Sequence, residues 1–184
     1  MKKVVLLITS LLYVVFAYAQ ASTENIGGLL YSIDTEAKTA TLIANDGDEY
    51  EGDIVIPEKV KTKVGETYTV VSLGDKCFEN CRIKSVIIPN TVKSLGDECF
   101  WQCNLLKSVY FKGKLPKYLT TYCNAPTDCS FYVPRPYLQE YIDAIGSKYS
   151  SIYPWDGGVV IVRAKSYSRV YGNENPVFEL DLGG

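Results

Sequence analysis

The sequence contains no histidine. That removes Ser-His-Asp and Cys-His nucleophile systems, imidazole metal ligands and the commonest general base near neutral pH. A basic excess is missing too: 19 Lys and Arg stand against 21 Asp and Glu, a net charge of −2. Nucleic acid demands a basic face, so no nucleic-acid partner is indicated. Nor is there a long hydrophobic run. The apolar stretch 4–19 is shorter than the roughly 20 residues a spanning helix needs. It follows Lys2 and Lys3 and ends in Ala17-Tyr18-Ala19. A charged start, an apolar middle and a small-x-small end predict a signal peptide over 1–19, cleaved after Ala19. No cysteine precedes Cys77, so the usual lipid attachment at a cleavage-site cysteine is absent. The expected product is exported to the periplasm, the cell surface or the medium, with no membrane insertion after cleavage.

What is present is a repeat. GDKCFENC (74–81) and GDECFWQC (96–103) are near-identical octets offset by 22 positions. The match extends to VVSLGDKCFENCRI-KSVIIP against VKSLGDECFWQCNLLKSVYFK, with one extra residue before Lys107. Ser85-Val86-Ile87-Ile88-Pro89 corresponds to Ser108-Val109-Tyr110-Phe111-Lys112. The same text recurs upstream at Asp53-Ile54-Val55-Ile56-Pro57 and downstream at Ser130-Phe131-Tyr132-Val133-Pro134. Residues 61–68 form an insertion, and 113–129 is a degenerate repeat without the octet. A period in the low twenties marks a solenoid, whose rungs bury an apolar face only by stacking. Strand alternation places Val86, Ile88, Val109 and Phe111 inside, with Ile87 and Tyr110 outside. Gly74 and Gly96 are expected to allow tight bends. A short helical turn should then drop Phe78 and Phe100 into the core.

The repeat also accounts for the cysteines. An i, i+4 pair on a helical turn shares one face, and the offset of 22 stacks Cys77 on Cys99 and Cys81 on Cys103. Structural zinc sites use a closed four-ligand set, commonly on tighter cysteine turns. Buried thiols are good small core formers, which makes a thiol ladder the leading reading and cross-rung disulfides the next. Cys123 and Cys129 flank a short loop that a disulfide would close in an exported chain. No cofactor and no metal are expected.

Outside the repeats, 28–45 reads as a β-hairpin closing the N-terminal end of the solenoid. Asp46-Gly47-Asp48 lacks the spacing of a calcium loop and reads as a solvated turn. Residues 136–146 read as a helix with Tyr137, Leu138, Tyr141, Ile142 and Ile145 on one stripe, capping the C-terminal end. YPWDGG (153–158) reads as a linker, followed by a strand over 159–162. The expected fold is thus β-rich α+β, a short solenoid with a hairpin cap and a helix cap. Its divisions are 1–19 signal peptide, 20–52 cap, 53–156 solenoid with terminal helix, and 157–184 linker and final segment.

The pattern I-P-x-x-V, S-L-G-D-x-C-F-x-x-C, L-K-S-V resembles the BspA-type leucine-rich repeats of bacterial surface proteins over roughly 28–156. Cys77 and Cys99 stand where that family usually has Ala. The resemblance implies a secreted or surface-displayed binding scaffold, often assigned to adhesion, and it implies no catalysis. It carries over no fixed set of binding residues. AKSYSRVYGNENPVFELDLGG (164–184) resembles the opening of an MBG-type Ig-like β-domain, on Tyr171, Gly172, Asn175 and Pro176. Only about twenty residues are present, too few to bury a sheet face.

Two functional readings follow. In the first, the outward positions Val55, Ile87, Tyr110 and Tyr132 form a ladder that binds an extracellular protein or glycan, with Trp101 as a further large side chain. The competing reading of that ladder is plain strand propensity. In the second, Asp75 and Asp97 act as paired carboxylates of a glycoside hydrolase. The simpler role for both is to cap the following turn, and no nucleophile–base pair is visible.

Overall fold

The computed structural model describes residues 22–45, 49–119 and 123–155. The signal peptide, the 46–48 turn, the 159–162 strand and the segment resembling an MBG-type domain lie outside the described residues.

Among the described residues, eleven strands form two sheets. The first sheet contains β1 (Ser22–Ile26), β2 (Leu29–Asp34), β3 (Thr39–Leu42), β6 (Thr67–Leu73) and β5 (Lys59–Lys61) in that order, with β8 (Ser94–Leu95) also beside β6. The second runs β11 (Ile152–Trp155), β10 (Ser130–Pro134), β9 (Ser108–Phe111), β7 (Arg82–Ile88) and β4 (Glu51–Val55). All its pairings are parallel, so the chain must cross over between successive strands. The first sheet supplies the return path: β6 leads through one octet to β7, and β8 through the next to β9.

Register follows the sequence alignment. Asp53 pairs with Ser85, Ser85 with Ser108 and Ser108 with Ser130. The alternation places Val86, Ile88, Val109, Phe111, Phe131 and Val133 in the core. The extra residue before Lys107 is absorbed at Leu105, which is 44% exposed, while Leu106 is fully buried like Ile83. Lys107 N–H still reaches the Lys84 carbonyl at 2.9 Å, so the bulge leaves the strand register intact.

Three expectations about the octets need correction. They are not helical turns but chained β-turns. Cys77 N–H donates to the Gly74 carbonyl and Cys81 N–H to the Phe78 carbonyl, with left-handed residues Lys76 (φ 55°) and Asn80 (φ 57°) between. The reason is that the N–H groups of Lys76, Phe78 and Asn80 donate sideways to the carbonyls of Asp97, Cys99 and Trp101 on the next rung. An α-helix would need those donors within its own turn. Second, Gly74 and Gly96 do not have positive φ. Glycine serves close approach instead: a Cβ on Gly96 would lie 2.3 Å from the Asp75 nitrogen and 2.3 Å from the Gly74 carbonyl carbon. Third, Asp75 does not cap its own turn; its Oδ1 accepts the N–H of Asp97 at 2.8 Å.

The core is a set of rung-to-rung stacks. The Phe78 and Phe100 rings lie 5.6 Å apart and nearly parallel, and Phe111 stacks on Phe131 at 6.4 Å. Such pairs add about 0.5–1.5 kcal/mol beyond their buried area. Tyr50 joins the N-terminal strands to this core, since its hydroxyl accepts Leu30 N–H, donates to the Ile43 carbonyl, and its ring meets Phe78 edge-on.

The two ends differ from expectation in detail. The hairpin β2–β3 forms as read, but β1 adds a third antiparallel strand, and β3 lies parallel beside β6. Helix α1 (Leu138–Ile145) follows a 3₁₀ turn (Arg135–Tyr137) and buries Tyr141 and Ile145. Tyr141 packs on Phe111, and its hydroxyl donates to the Gly113 carbonyl. Ile142, expected on the buried stripe, is exposed. The helix does not end the solenoid either. It connects β10 to β11, so Tyr153-Pro154-Trp155 is a further rung and not a linker. Among the described residues, no helix is long and apolar enough to cross a membrane.

Candidate binding face

The outer face of the parallel sheet carries the candidate site. Side chains at every second position point outward, and parallel pairing aligns equivalent positions about 4.8 Å apart. Val55 pairs with Ile87, Ile87 with Tyr110, Tyr110 with Tyr132 and Tyr132 with Tyr153. Among the described residues, the ladder therefore has five members. Val55 is 59% exposed and Tyr153 48%, with the three between half-buried by their neighbours.

The aromatic end is tightly organised. The rings of Tyr110 and Tyr132 stack at 4.5 Å with an interplanar angle of 11°. Tyr153 lies against Tyr132 at 5.6 Å, and Trp155 meets Tyr110 edge-on at 5.2 Å. Because the tyrosine faces are turned toward one another, this surface offers ring edges and hydroxyls more than open ring faces. Burial, then the hydroxyls of Tyr110 and Tyr153, raises the Tyr132 pKa, so the phenol stays neutral. Beside the ladder runs a row of Ser85, Ser108 and Ser130, in which Ser85 Oγ donates to Asp53 Oδ1 at 2.6 Å.

Ile87, Tyr110 and Tyr132 are thus brought together, and Trp101 is not part of their ladder. It sits in the second octet with Lys76 Nζ 5.7 Å from its ring centroid. Lys76 also pairs with Glu79 and Glu98. Sequence reading missed Tyr153 and Trp155. Tyr153 follows Tyr132 by 21 positions, close to the repeat period, but the intervening helix hid that signal.

Asp75 and Asp97 are exposed and line an open groove of about 490 Å³ with Thr41, Ser72, Ser94 and Tyr118. Thr41 and Ser72 share a hydrogen bond of 2.8 Å across the first sheet. Asp75 Oδ1 is committed to the backbone of the next rung, a structural use of that carboxylate.

All six cysteines are buried free thiols. The bridge considered between Cys123 and Cys129 is not formed. The degenerate repeat keeps one thiol in place instead: Phe100 N–H donates to the Cys123 carbonyl, as Phe78 N–H does to that of Cys99. Cys77, Cys99 and Cys123 are therefore equivalent positions on successive rungs. Burial raises the thiols of Cys77 and Cys99 well above their usual value. It also pushes Cys103 and Cys129 up to about 12, with Cys81 and Cys123 respectively adding to the effect. Among the described residues, no group of three or more His, Cys, Asp or Glu side chains is arranged to hold a metal ion.

Comparison with known proteins adds the following. Residues 58–130 match the family model described as "BspA type Leucine rich repeat region (6 copies)". No curated protein matches the chain. Two solved structures are similar. One is a leucine rich cell surface protein from Faecalibacterium prausnitzii A2-165, 26% identical, with a TM-score of 0.41. That match covers 61% of this chain and 26% of the other, so the chain spans about a quarter of its length. The second is a leucine-rich repeat protein from Bacteroides capillosus ATCC 29799, 22% identical, with a TM-score of 0.46, covering 73% of this chain and 99% of that one.

Proposed function

We propose that the chain is a non-catalytic, exported interaction protein that docks a partner on the outer face of its parallel sheet. The observation that carries this reading is the contiguous, partly exposed ladder of Ile87, Tyr110, Tyr132 and Tyr153 on a hydrogen-bonded parallel sheet. Tyrosine offers contact area and a polar tip at low entropic cost, which suits it to recognition. Ring edges and hydroxyls favour a protein partner over a stacked sugar, and this makes an extracellular protein the first choice and a glycan the second. Trp101 would serve a separate contact. Export through the 1–19 signal peptide, surface display, a role in adhesion and an MBG-type segment over 164–184 complete the proposal. The committed Asp75 carboxylate argues against a paired-carboxylate hydrolase.

The test is a binding screen of the full chain against host matrix proteins, mucins and glycans, beside Tyr110→Ala/Tyr132→Ala. Binding lost in the folded double mutant supports the face. Binding that the mutant retains moves the site elsewhere, and polysaccharide turnover abolished by Asp75→Asn would overturn the non-catalytic reading.

A further inference from the structure

The two edges of the parallel sheet differ. At the β11 edge, Phe131 N–H donates to the Ser151 carbonyl at 2.7 Å. Backbone groups of successive strand residues face opposite sides, so Ile152 and Pro154 turn outward. Proline has no N–H to offer there, which blunts that edge. At the β4 edge, Ile56 N–H donates to the Ile87 carbonyl at 3.0 Å, and the Tyr50 carbonyl accepts Arg82 N–H at 3.0 Å. The same alternation turns the N–H and carbonyl groups of Asp53 and Val55 away from β7. Among the described residues, β7 is the only strand that pairs with β4. A groove of about 390 Å³ lies along this open side. Asn25, Gly28 and Leu29 line one wall, and Glu49, Glu51 and Asp53 the other, with Val55 at its end. Among the described residues that line it, none belongs to β7 and none is basic. The three carboxylates are exposed, and Val55 is 59% exposed. Asp53 Oδ1 accepts Ser85 Oγ at 2.6 Å, which holds that carboxylate against the strand.

We propose that the open edge of β4 takes an extended, basic segment of a partner protein as an added strand. An unpaired strand edge is a ready template for pairing, and backbone hydrogen bonds supply the affinity of such an addition. Alternate side chains supply its selectivity. Glu51, Asp53 and Val55 share the outer face of β4, so the incoming strand sets Lys or Arg beside the two carboxylates. The intervening side chains lie beside Gly52 and Ile54 and are apolar, because Ile54 packs against the core. A second copy of this chain is disfavoured: β4 against β4 would set like carboxylates opposite one another. This edge is a separate surface from the tyrosine ladder and meets it only at Val55.

The experiment titrates the full chain with an alternating lysine–valine hexapeptide at physiological ionic strength and follows binding by calorimetry. Saturable binding is expected, with amide exchange read by NMR slowing most at Asp53 and Val55. The same peptide N-methylated at every residue keeps its charge but cannot pair as a strand, and it should not bind. A glutamate–valine peptide should not bind either. Val55→Pro removes an outward donor while leaving the bonds to β7, and it should weaken binding about tenfold. Glu51→Lys should weaken it by about as much through charge alone, which keeps the test open if Val55→Pro misfolds by circular dichroism. Tyr110→Ala/Tyr132→Ala should bind the peptide like the parent. Absence of binding, or binding kept by the N-methylated peptide, would overturn the proposal. Binding lost in the tyrosine double mutant but kept in both edge variants would overturn it in favour of the ladder. Concentration-dependent dimers abolished by Val55→Pro would overturn it in favour of a second copy.

Discussion

Substituting alanine for each octet glycine separates two explanations of why glycine is there. If the octets needed a flexible residue at their bend, Gly74→Ala and Gly96→Ala would cost alike, since the repeats are near-identical. The structure predicts unequal costs. At Gly74 the added Cβ meets the Ile43 methyl at 3.2 Å and the Leu42 carbonyl at 3.3 Å, and a side-chain methyl can give way. That variant should lose no more than about 1 kcal/mol. At Gly96 the Cβ meets backbone at 2.3 Å, far inside the 3.4 Å at which ordinary contact begins. Neither backbone can yield without opening the rung. Three bonds cross that junction: Gly96 N–H to Leu73 carbonyl, Lys76 N–H to Asp97 carbonyl, and Asp97 N–H to Asp75 Oδ1, each 2.8 Å. At about 1 kcal/mol apiece, their loss puts Gly96→Ala near 3 kcal/mol or above. Urea denaturation monitored by circular dichroism measures both. Equal losses, or a mild Gly96→Ala, would refute the close-approach argument.

Three further outcomes are expected. Phe78→Ala should cost about 3–5 kcal/mol by denaturant midpoint, because the stack with Phe100 is fully buried, and Phe78→Leu should cost clearly less. Leu106→Ala should cost about 2–5 kcal/mol while its exposed neighbour Leu105→Ala stays within about 0.5, as read by thermal or urea unfolding. Stability should also fall in alkali. Cys103 and Cys129 ionise near 12 when folded against 9.0 ordinarily, so the unfolded chain loses those protons first. Their contribution is whole below pH 9.0 and disappears as the pH climbs toward about 12. Urea midpoints at stepped pH should therefore flatten in Cys103→Ala, and an unchanged slope in that variant would contradict the assignment.

Much of this architecture was legible in the residues. A repeat with a constant text, such as Ser85-Val86-Ile87-Ile88 and Ser108-Val109-Tyr110-Phe111, fixes register, because a slip by one residue would turn the buried set outward. Period-two alternation therefore places the core and the ladder members Val55, Ile87, Tyr110 and Tyr132. Where the text ran out, so did the reading. Ile152-Tyr153-Pro154-Trp155 shares little with the earlier strands beyond its spacing, and a helix interrupts the period. Its place beside β10 is decided by pairing, which a single chain order does not display.

The octets show the boundary between the two levels. Their composition determined that glycine, aspartate, cysteine and phenylalanine would recur on stacked rungs, and that Phe78 and Phe100 would be inside. Their backbone form was decided by the neighbouring rung. The same residues could wind into a helical turn alone, but stacking offers the N–H groups of Lys76, Phe78 and Asn80 the carbonyls of Asp97, Cys99 and Trp101. Local sequence sets which side chains repeat along the chain. Only the packed structure sets which donors meet which acceptors across rungs, because those partners are about 22 positions apart and come together only when the solenoid closes.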